Sequence, residues 1–356
     1  MDFSDIHGLI QSSTSIYFSV AAFSQILAGW LSDRKGEKYT VIVVLILFFA
    51  ASIGVVFSQS ANQFFLFRAL QGVIAGITVV SRSLLRKNLT IDVAASALAY
   101  ASLAISCSSI FGPLAGAGIS NAFGWISVPI LLIIFASGLL TIVGRLNESS
   151  ATESSHRLPS IMSQIKYIAS DTTFVIFSLV AALSSSVFYI YFTTATFLVA
   201  NHTSISPLEF SIIFALNPVG YFLGNLASGI ACENFGWRKV LKSGCLISLA
   251  SAVTGTLTIH FGVNPLMCFF IQMFFVGIGN GIIISTSSIG MLSGISQSSG
   301  MATGLGSGIV NIIGSIVSLF VGTFNYNVEH PEFLNIYILI ILTCAAVLTF
   351  GFQRNR

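Results

Sequence analysis

Eleven stretches of this chain stay apolar for about 20 residues or more, and short polar turns separate them. A run of that length matches an α-helix across the hydrocarbon core of a bilayer, about 30 Å thick at about 1.5 Å of rise per residue. The spans fall near 12–31, 39–59, 62–83, 94–117, 124–145, 171–199, 207–230, 239–261, 264–289, 299–324 and 333–353. Backbone groups in hydrocarbon must be satisfied internally, which leaves helices or a closed barrel. The runs lack the period-two alternation of barrel strands, so the expected fold is all-α and polytopic. Composition points the same way, with 54% hydrophobic and 8% charged residues against about 25% charge in soluble domains.

Two polar turns recur at an offset of 200 residues without a gap. Gly29-Trp-Leu-Ser-Asp33-Arg-Lys-Gly36-Glu-Lys38 lies over Gly229-Ile-Ala-Cys-Glu233-Asn-Phe-Gly236-Trp-Arg238, matching a glycine, an acid, a glycine and a base. Such a match is the mark of two parallel membrane repeats. It predicts an N-terminal bundle over 1–146, a cytoplasmic linker over 147–170 and a C-terminal six-helix bundle over 171–356. Shifted back by 200, the run that starts at Asp171 falls ahead of Met1, so a twelfth helix is expected before the eleven.

The basic residues set the orientation. Arg34, Lys35 and Lys38, then Arg82, Arg86 and Lys87, then Arg145, Arg157 and Lys166, then Arg238, Lys239 and Lys242, and finally Arg354 and Arg356 cluster at or near alternate boundaries. By the positive-inside rule those turns, and the C-terminus, are expected in the cytoplasm. The net charge of +3 then reflects topology, and no basic stripe offers a nucleic-acid surface.

Several patterns carry no chemistry. Gly277-Ile-Gly279-Asn-Gly281 and Gly304-Leu-Gly306-Ser-Gly308 do not complete a phosphate-binding fingerprint, and no Walker lysine motif occurs. Glycines four apart, Gly72 and Gly76, Gly112 and Gly116, Gly220 and Gly224, Gly304 and Gly308, are read as sites of close helix approach. Cys107, Cys232, Cys245, Cys268 and Cys344 are unpaired in spacing and read as small apolar fillers. His7, His156, His202, His260 and His330 are too scattered for a metal site. No nucleophile, base and orienter can be assembled, so neither an enzyme nor a cofactor is expected.

Two signals do carry chemistry. Arg68 lies inside the third run, away from the basic boundaries, and an intramembrane charge has a partner or a pathway to serve. No acid lies near the middle of any run, so its carboxylate partner is expected on the helix ahead of Met1; snorkelling to the interface is the alternative. The second signal is a polar stripe, Asn217, Tyr221 and Asn225, at four-residue spacing. The offset maps Asn217 onto Tyr17 and Asn225 onto Gln25, and Asn280, Asn311 and Ser315 extend the set. These residues are candidates for a cavity lining, with interhelical hydrogen bonding as the competing use. The aromatic run Phe188, Tyr189, Tyr191 and Phe192 points to a lipophilic or cationic guest.

Together these motifs resemble the major facilitator superfamily. Gly29, Asp33, Arg34, Gly36 and Lys38 are similar to its loop between helices 2 and 3, and Arg68-Ala-Leu-Gln71-Gly72 resembles its helix 4 motif. Phe111-Gly112-Pro113-Leu-Ala-Gly116 resembles its helix 5 antiporter motif, and the combination is most similar to drug:proton antiporters of the Bcr/CflA type. The resemblance implies that Asp33, with Arg34 and Lys38, locks one access state, that Arg68 and Gln71 serve proton movement, and that Gly112 and Pro113 kink helix 5. The chain departs from the pattern at Glu37, Ser108 and Ala117. The implied function is multidrug efflux from a bacterial inner membrane by a monomer, exchanging protons for a lipophilic or cationic substrate. A metabolite transporter of the same fold, or a remnant without turnover, are the alternatives.

Overall fold

A computed structural model describes residues 6–88, 91–145, 160–202, 207–262, 264–295, 299–324 and 331–354, and every regular element among them is helical. In chain order the helices are α1 (Ile6–Lys35), α2 (Glu37–Val56), α3 (Ala61–Leu70), α4 (Gly76–Asn88), α5 (Ile91–Phe123), α6 (Ser127–Arg145), α7 (Ile161–Ala169) and α8 (Thr172–His202). They continue as α9 (Pro207–Phe214), α10 (Leu216–Phe235), α11 (Trp237–His260), α12 (Pro265–Leu292), α13 (Ser299–Phe324) and α14 (Pro331–Arg354). A 3-10 segment, Gln71–Ala75, joins α3 to α4, so the third apolar run is one continuous rod. The expected linker lies outside the described residues up to 159, and its remainder holds α7, a short helix with Ile168 buried and Met162 and Tyr167 exposed.

Among the described residues, ten helical stretches are long and apolar enough to cross a membrane. The remaining expected run, 12–31, falls within α1, a continuous helix of 30 residues. Its Ser24, Gln25 and Asp33 side chains meet other elements, as described below.

The chain forms two compact units. The first comprises Met1–Asn88, Gly116–Thr172 and Gly294–Ile312; the second comprises Leu89–Ala115, Thr173–Ser293 and Ile313–Arg356. The start of α13 therefore belongs with the first unit, although the sequence alone places it in the second half.

The 200-residue repeat is visible in backbone detail. Gly36 follows α1 with φ 87° and ψ 162°, and Gly236 follows α10 with φ 76° and ψ 142°, a region that side chains with a Cβ avoid. Gly36 N donates to Ser32 O at 3.1 Å and Gly236 N to Cys232 O at 3.0 Å. Thr40 N and Val240 N then donate back to the two glycine carbonyls at 3.3 Å each. The same capped turn is built twice.

One element differs between the copies. Whereas α1 is unbroken, its counterpart is interrupted at Ala215, between α9 and α10. Pro218 lacks the N–H that would meet the carbonyl of Phe214 in a continuous helix. The hydroxyl of Tyr191 donates to that carbonyl instead, at 2.9 Å and fully buried. Tyr191 also stacks on Phe214 with ring centroids 4.9 Å apart and on Phe269 at 5.9 Å, at the centre of the second unit's core. The aromatic run thus spends Tyr191, and Phe192 packed beside it, on core contacts.

Candidate substrate and gating residues

In the first unit, α1 and the beginning of α13 are packed along a seam of small residues. A Cβ on Gly29 would strike the carbonyl oxygen of Gly300, and one on Gly304 would strike that of Gln25. Gly308 sits against Ile26 in the same way, with a Cβ to Cγ1 distance of 2.8 Å. The glycines let two backbones touch, so polar atoms along the seam are sealed from solvent and must find each other. They do so at two levels. Asn311 Nδ2 donates to Gln25 Oε1 at 2.6 Å, both residues being buried. Two turns further along α1, Met301 N donates to Asp33 Oδ2 at 2.9 Å.

The second bond places a carboxylate on the N-terminal turn of α13. The first N–H groups of a helix have no partner within it, and the helix dipole favours negative charge there. Gly300 admits the carboxylate: a Cβ there would lie 2.7 Å from Asp33 Oδ1. Arg34, the next residue, is exposed with its guanidinium 5.0 Å from the Trp30 ring centroid. Lys38 lies on the first turn of α2, across the Gly36 turn.

The other face of α1 meets the 3-10 segment. Ser24 Oγ donates to Val73 O at 2.6 Å, and a Cβ on Gly76 would come within 2.9 Å of Ser24 Oγ. Close by, Arg68 Nη1 donates to Gln71 Oε1 at 2.8 Å, and Gln71 Nε2 donates to Ser52 Oγ at 3.0 Å. The Arg68 guanidinium also lies 5.8 Å from the Tyr17 ring centroid. Among the described residues the partners of Arg68 are thus an amide and an aromatic face, and the side chain itself is exposed.

In the second unit the polar stripe is drawn into helix packing. Asn217 Nδ2 donates to Met273 O on α12 at 2.7 Å, and Asn225 Nδ2 to Tyr221 O on its own helix at 2.9 Å. Asn280 Nδ2 reaches Ser184 O on α8 at 3.1 Å. Tyr221 is half-buried, its ring 5.9 Å from that of Phe188. Glycines of α10 and α12 interlock here: Gly220 and Gly224 face the carbonyls of Phe274 and Ile278, while Gly277 and Gly281 face those of Asn217 and Tyr221. The two glycine motifs that mimic phosphate loops are packing surfaces.

The helix 5 motif behaves differently. Helix α5 continues through Gly112, Pro113 and Gly116 from Ile91 to Phe123, and a Cβ on either glycine would meet nothing within 4 Å. Among the described residues, close approach is seen at the other three spaced glycine pairs. The side chains of Pro113, Glu233, His7, His202 and His260, and the whole of His156 and His330, lie outside the described residues. Cys245 and Cys268 are buried as expected of fillers, while Cys344 is exposed.

Nothing in the sequence pointed to Met301 N as a donor to Asp33, nor to Ser52 and Ser24 as anchors. Single backbone N–H groups and serines carry no pattern. The glycine ladder at Gly304 and Gly308 was the one signal that another helix must pass there.

Comparison with known proteins is consistent across sequence and structure. A sequence profile of the Major Facilitator Superfamily matches residues 3–322. A chloramphenicol resistance protein of Pseudomonas aeruginosa is 24% identical over 338 residues, 94% of this chain and 80% of that protein. The multidrug export protein EmrB of Escherichia coli (strain K12) is 36% identical over 135 residues, 36% of this chain and 26% of that protein. Among solved structures, the human organic anion transporter MFSD10 (TETRAN) aligns with a TM-score of 0.75 over 96% of this chain and 83% of that one. At 17% identity that likeness is one of fold.

Proposed function

The chain belongs to the Major Facilitator Superfamily and is a multi-pass membrane transporter of small molecules, and from that premise we propose that it exports amphiphilic compounds by alternating access in exchange for protons. The reading rests first on the contact between Asp33 and the N-terminal turn of α13. It closes the basic end of the α1–α13 seam, the end that the positive-inside rule puts in the cytoplasm, together with the C-terminus. A cap of this kind contributes about 0.5–2 kcal/mol, small enough for substrate or proton binding to reverse. The Gln25–Asn311 bond belongs to the same closed state and breaks with it. Two relatives that align are named for chloramphenicol resistance and multidrug export, which favours efflux over metabolite uptake. Arg68 and Gln71 stand on the proton route by resemblance to the helix 4 motif, and the transporter works as a monomer in a bacterial inner membrane.

Energised inverted vesicles containing the protein test the reading. Added chloramphenicol or a lipophilic dye should release protons from the vesicle lumen, and Asp33→Asn should lower that release about tenfold with the protein still folded. Proton release elicited by a polar metabolite alone, and by no drug, would overturn it.

A further inference from the structure

The connection from α12 to α13 meets a carboxylate at each end. At the far end Asp33 receives Met301 N and lies beside Gly300, where a Cβ would stand 2.7 Å from Oδ1. At the near end Asp171 lies against Gly294: a Cβ there would strike Asp171 Oδ2 and stand 3.3 Å from its Cγ. Among the described residues these are the two glycines packed directly on a carboxylate. All of these residues belong to the first unit.

Space, not backbone conformation, is what glycine supplies at position 294. The positive-φ glycines of the described residues are Gly36, Gly124, Gly236 and Gly262, so Gly294 keeps a backbone that other residues adopt. Any side chain there would displace the carboxylate. Both partners of the contact are anchored. Ser293 ends α12 with its N and its Oγ both donating to Gly290 O, at 3.2 and 2.8 Å, and Ile295 is buried. On the other side Ser170 N donates to Lys166 O at 3.1 Å and Asp171 N to Ile168 O at 3.2 Å, so α7 passes into α8 through one tight turn. Ile168 before that turn and Phe174 after it are fully buried, which fixes Asp171 between them. Met301 follows Gly294 by seven residues, a reach of at most about 25 Å even when fully extended. A held Gly294 therefore confines the first turn of α13, and a short tether raises the effective concentration of its N–H at the acceptor.

We propose, resting on the reading of Asp33 and Met301 as the cytoplasmic lock, that Asp171 is a positioning residue of that lock: by holding Gly294 it presents the first turn of α13 to Asp33. The two acids then have different tasks. Asp33 accepts the N–H, whereas Asp171 acts through the backbone that runs from Gly294 to Met301. Because Asp171 stands at the end of the α7 turn, the linker helix is tied to the lock through the same contact.

Amide hydrogen exchange on the full chain in maltoside micelles tests this, since the Met301 N–H is itself the locking group. In Asp171→Ala the peptide over 299–308 should exchange about tenfold faster than in the wild type, and Asp33→Ala should give at least as large a rise. The double variant should exchange no faster than Asp33→Ala alone, because both substitutions act on one lock. Gly294→Ala puts a Cβ where the carboxylate lies and leaves α8 unaltered. It should repeat the Asp171→Ala result, and it decides the matter where that variant fails to fold. Unchanged exchange over 299–308 in these two variants, a rise confined to the α8 peptide over 172–180, or additive effects of the two acids would each overturn the inference. A residue that merely capped α8 would give the second or third of these outcomes. If Asp33→Ala leaves 299–308 unchanged, the lock itself is wrong and this inference falls with it; if only Asp33→Ala raises exchange, Asp171 alone is struck out. None of these measurements needs transport, so a failure of the export reading appears only in the vesicles.

Discussion

The two units build the same backbone and dress it differently. Gly36 and Gly236 adopt nearly the same positive-φ turn, and Gly72 and Gly277 receive the repeat pair Tyr17 and Asn217 at matching distances. Side chains at equivalent places diverge: Arg68 against Met273, Phe18 against Pro218. Where backbones touch, any added atom collides, so glycine is retained in both copies. Where side chains face a cavity or a neighbouring helix, chemistry is free to change, and a residue special to one copy marks a task that copy does alone.

The comparison breaks most visibly at the glycines. Gly277→Val places a Cβ against the carbonyl of Asn217 and Gly72→Val places one against that of Tyr17, and neither backbone can yield without separating the helices. Each should destabilise by about 3 kcal/mol, read as a lowered unfolding midpoint in micelles. Similar losses in both copies would support the equivalence of the two contacts. Tolerance of Gly72→Val beside collapse of Gly277→Val would show that only the second unit depends on this packing.

A smaller effect separates the polar bonds. Asn311→Leu leaves the buried Gln25 Oε1 without its donor, at a cost of about 2 kcal/mol. Asn217→Leu removes a donor from the Met273 carbonyl, which sits inside α12 and keeps its helical bond, so about 1 kcal/mol is expected. Unfolding of the two variants side by side checks the order, and the reverse order would place the more important lock in the second unit.

Much of the fold is legible in the sequence because membrane helices are written in long runs, and the 200-residue offset carries the repeat down to single turns. In α1 the polar residues Ser24, Gln25 and Asp33 serve neighbouring elements, which run length alone does not reveal. Site residues are legible as types and faces, not as partners. Spacing places Asn217 and Asn225 on one face, but whether an amide on that face meets a cavity, a carbonyl of α12 or its own helix depends on how closely the next helix approaches. That distance is set by glycines elsewhere in the chain, Gly277 and Gly281. Asp33 was readable as special from its turn, whereas its partner is a backbone N–H that any residue at position 301 would supply.

The smallest expected effect, a coupling between two substitutions, bears on the one helix that the copies build differently. Tyr191→Phe removes the hydroxyl that meets the Phe214 carbonyl, and should cost about 1 kcal/mol, since Pro218 leaves that oxygen without its helical donor. Pro218→Ala restores the donor and lets α9 run into α10 as α1 runs unbroken through Phe18. In the Pro218→Ala background the same Tyr191→Phe substitution should then cost clearly less, a coupling that a double-mutant unfolding cycle measures directly. Equal costs in both backgrounds would mean that the hydroxyl acts independently of the proline. The break in α10 would then have to be traced to the packing of Phe214 and Tyr191 rings rather than to the missing N–H.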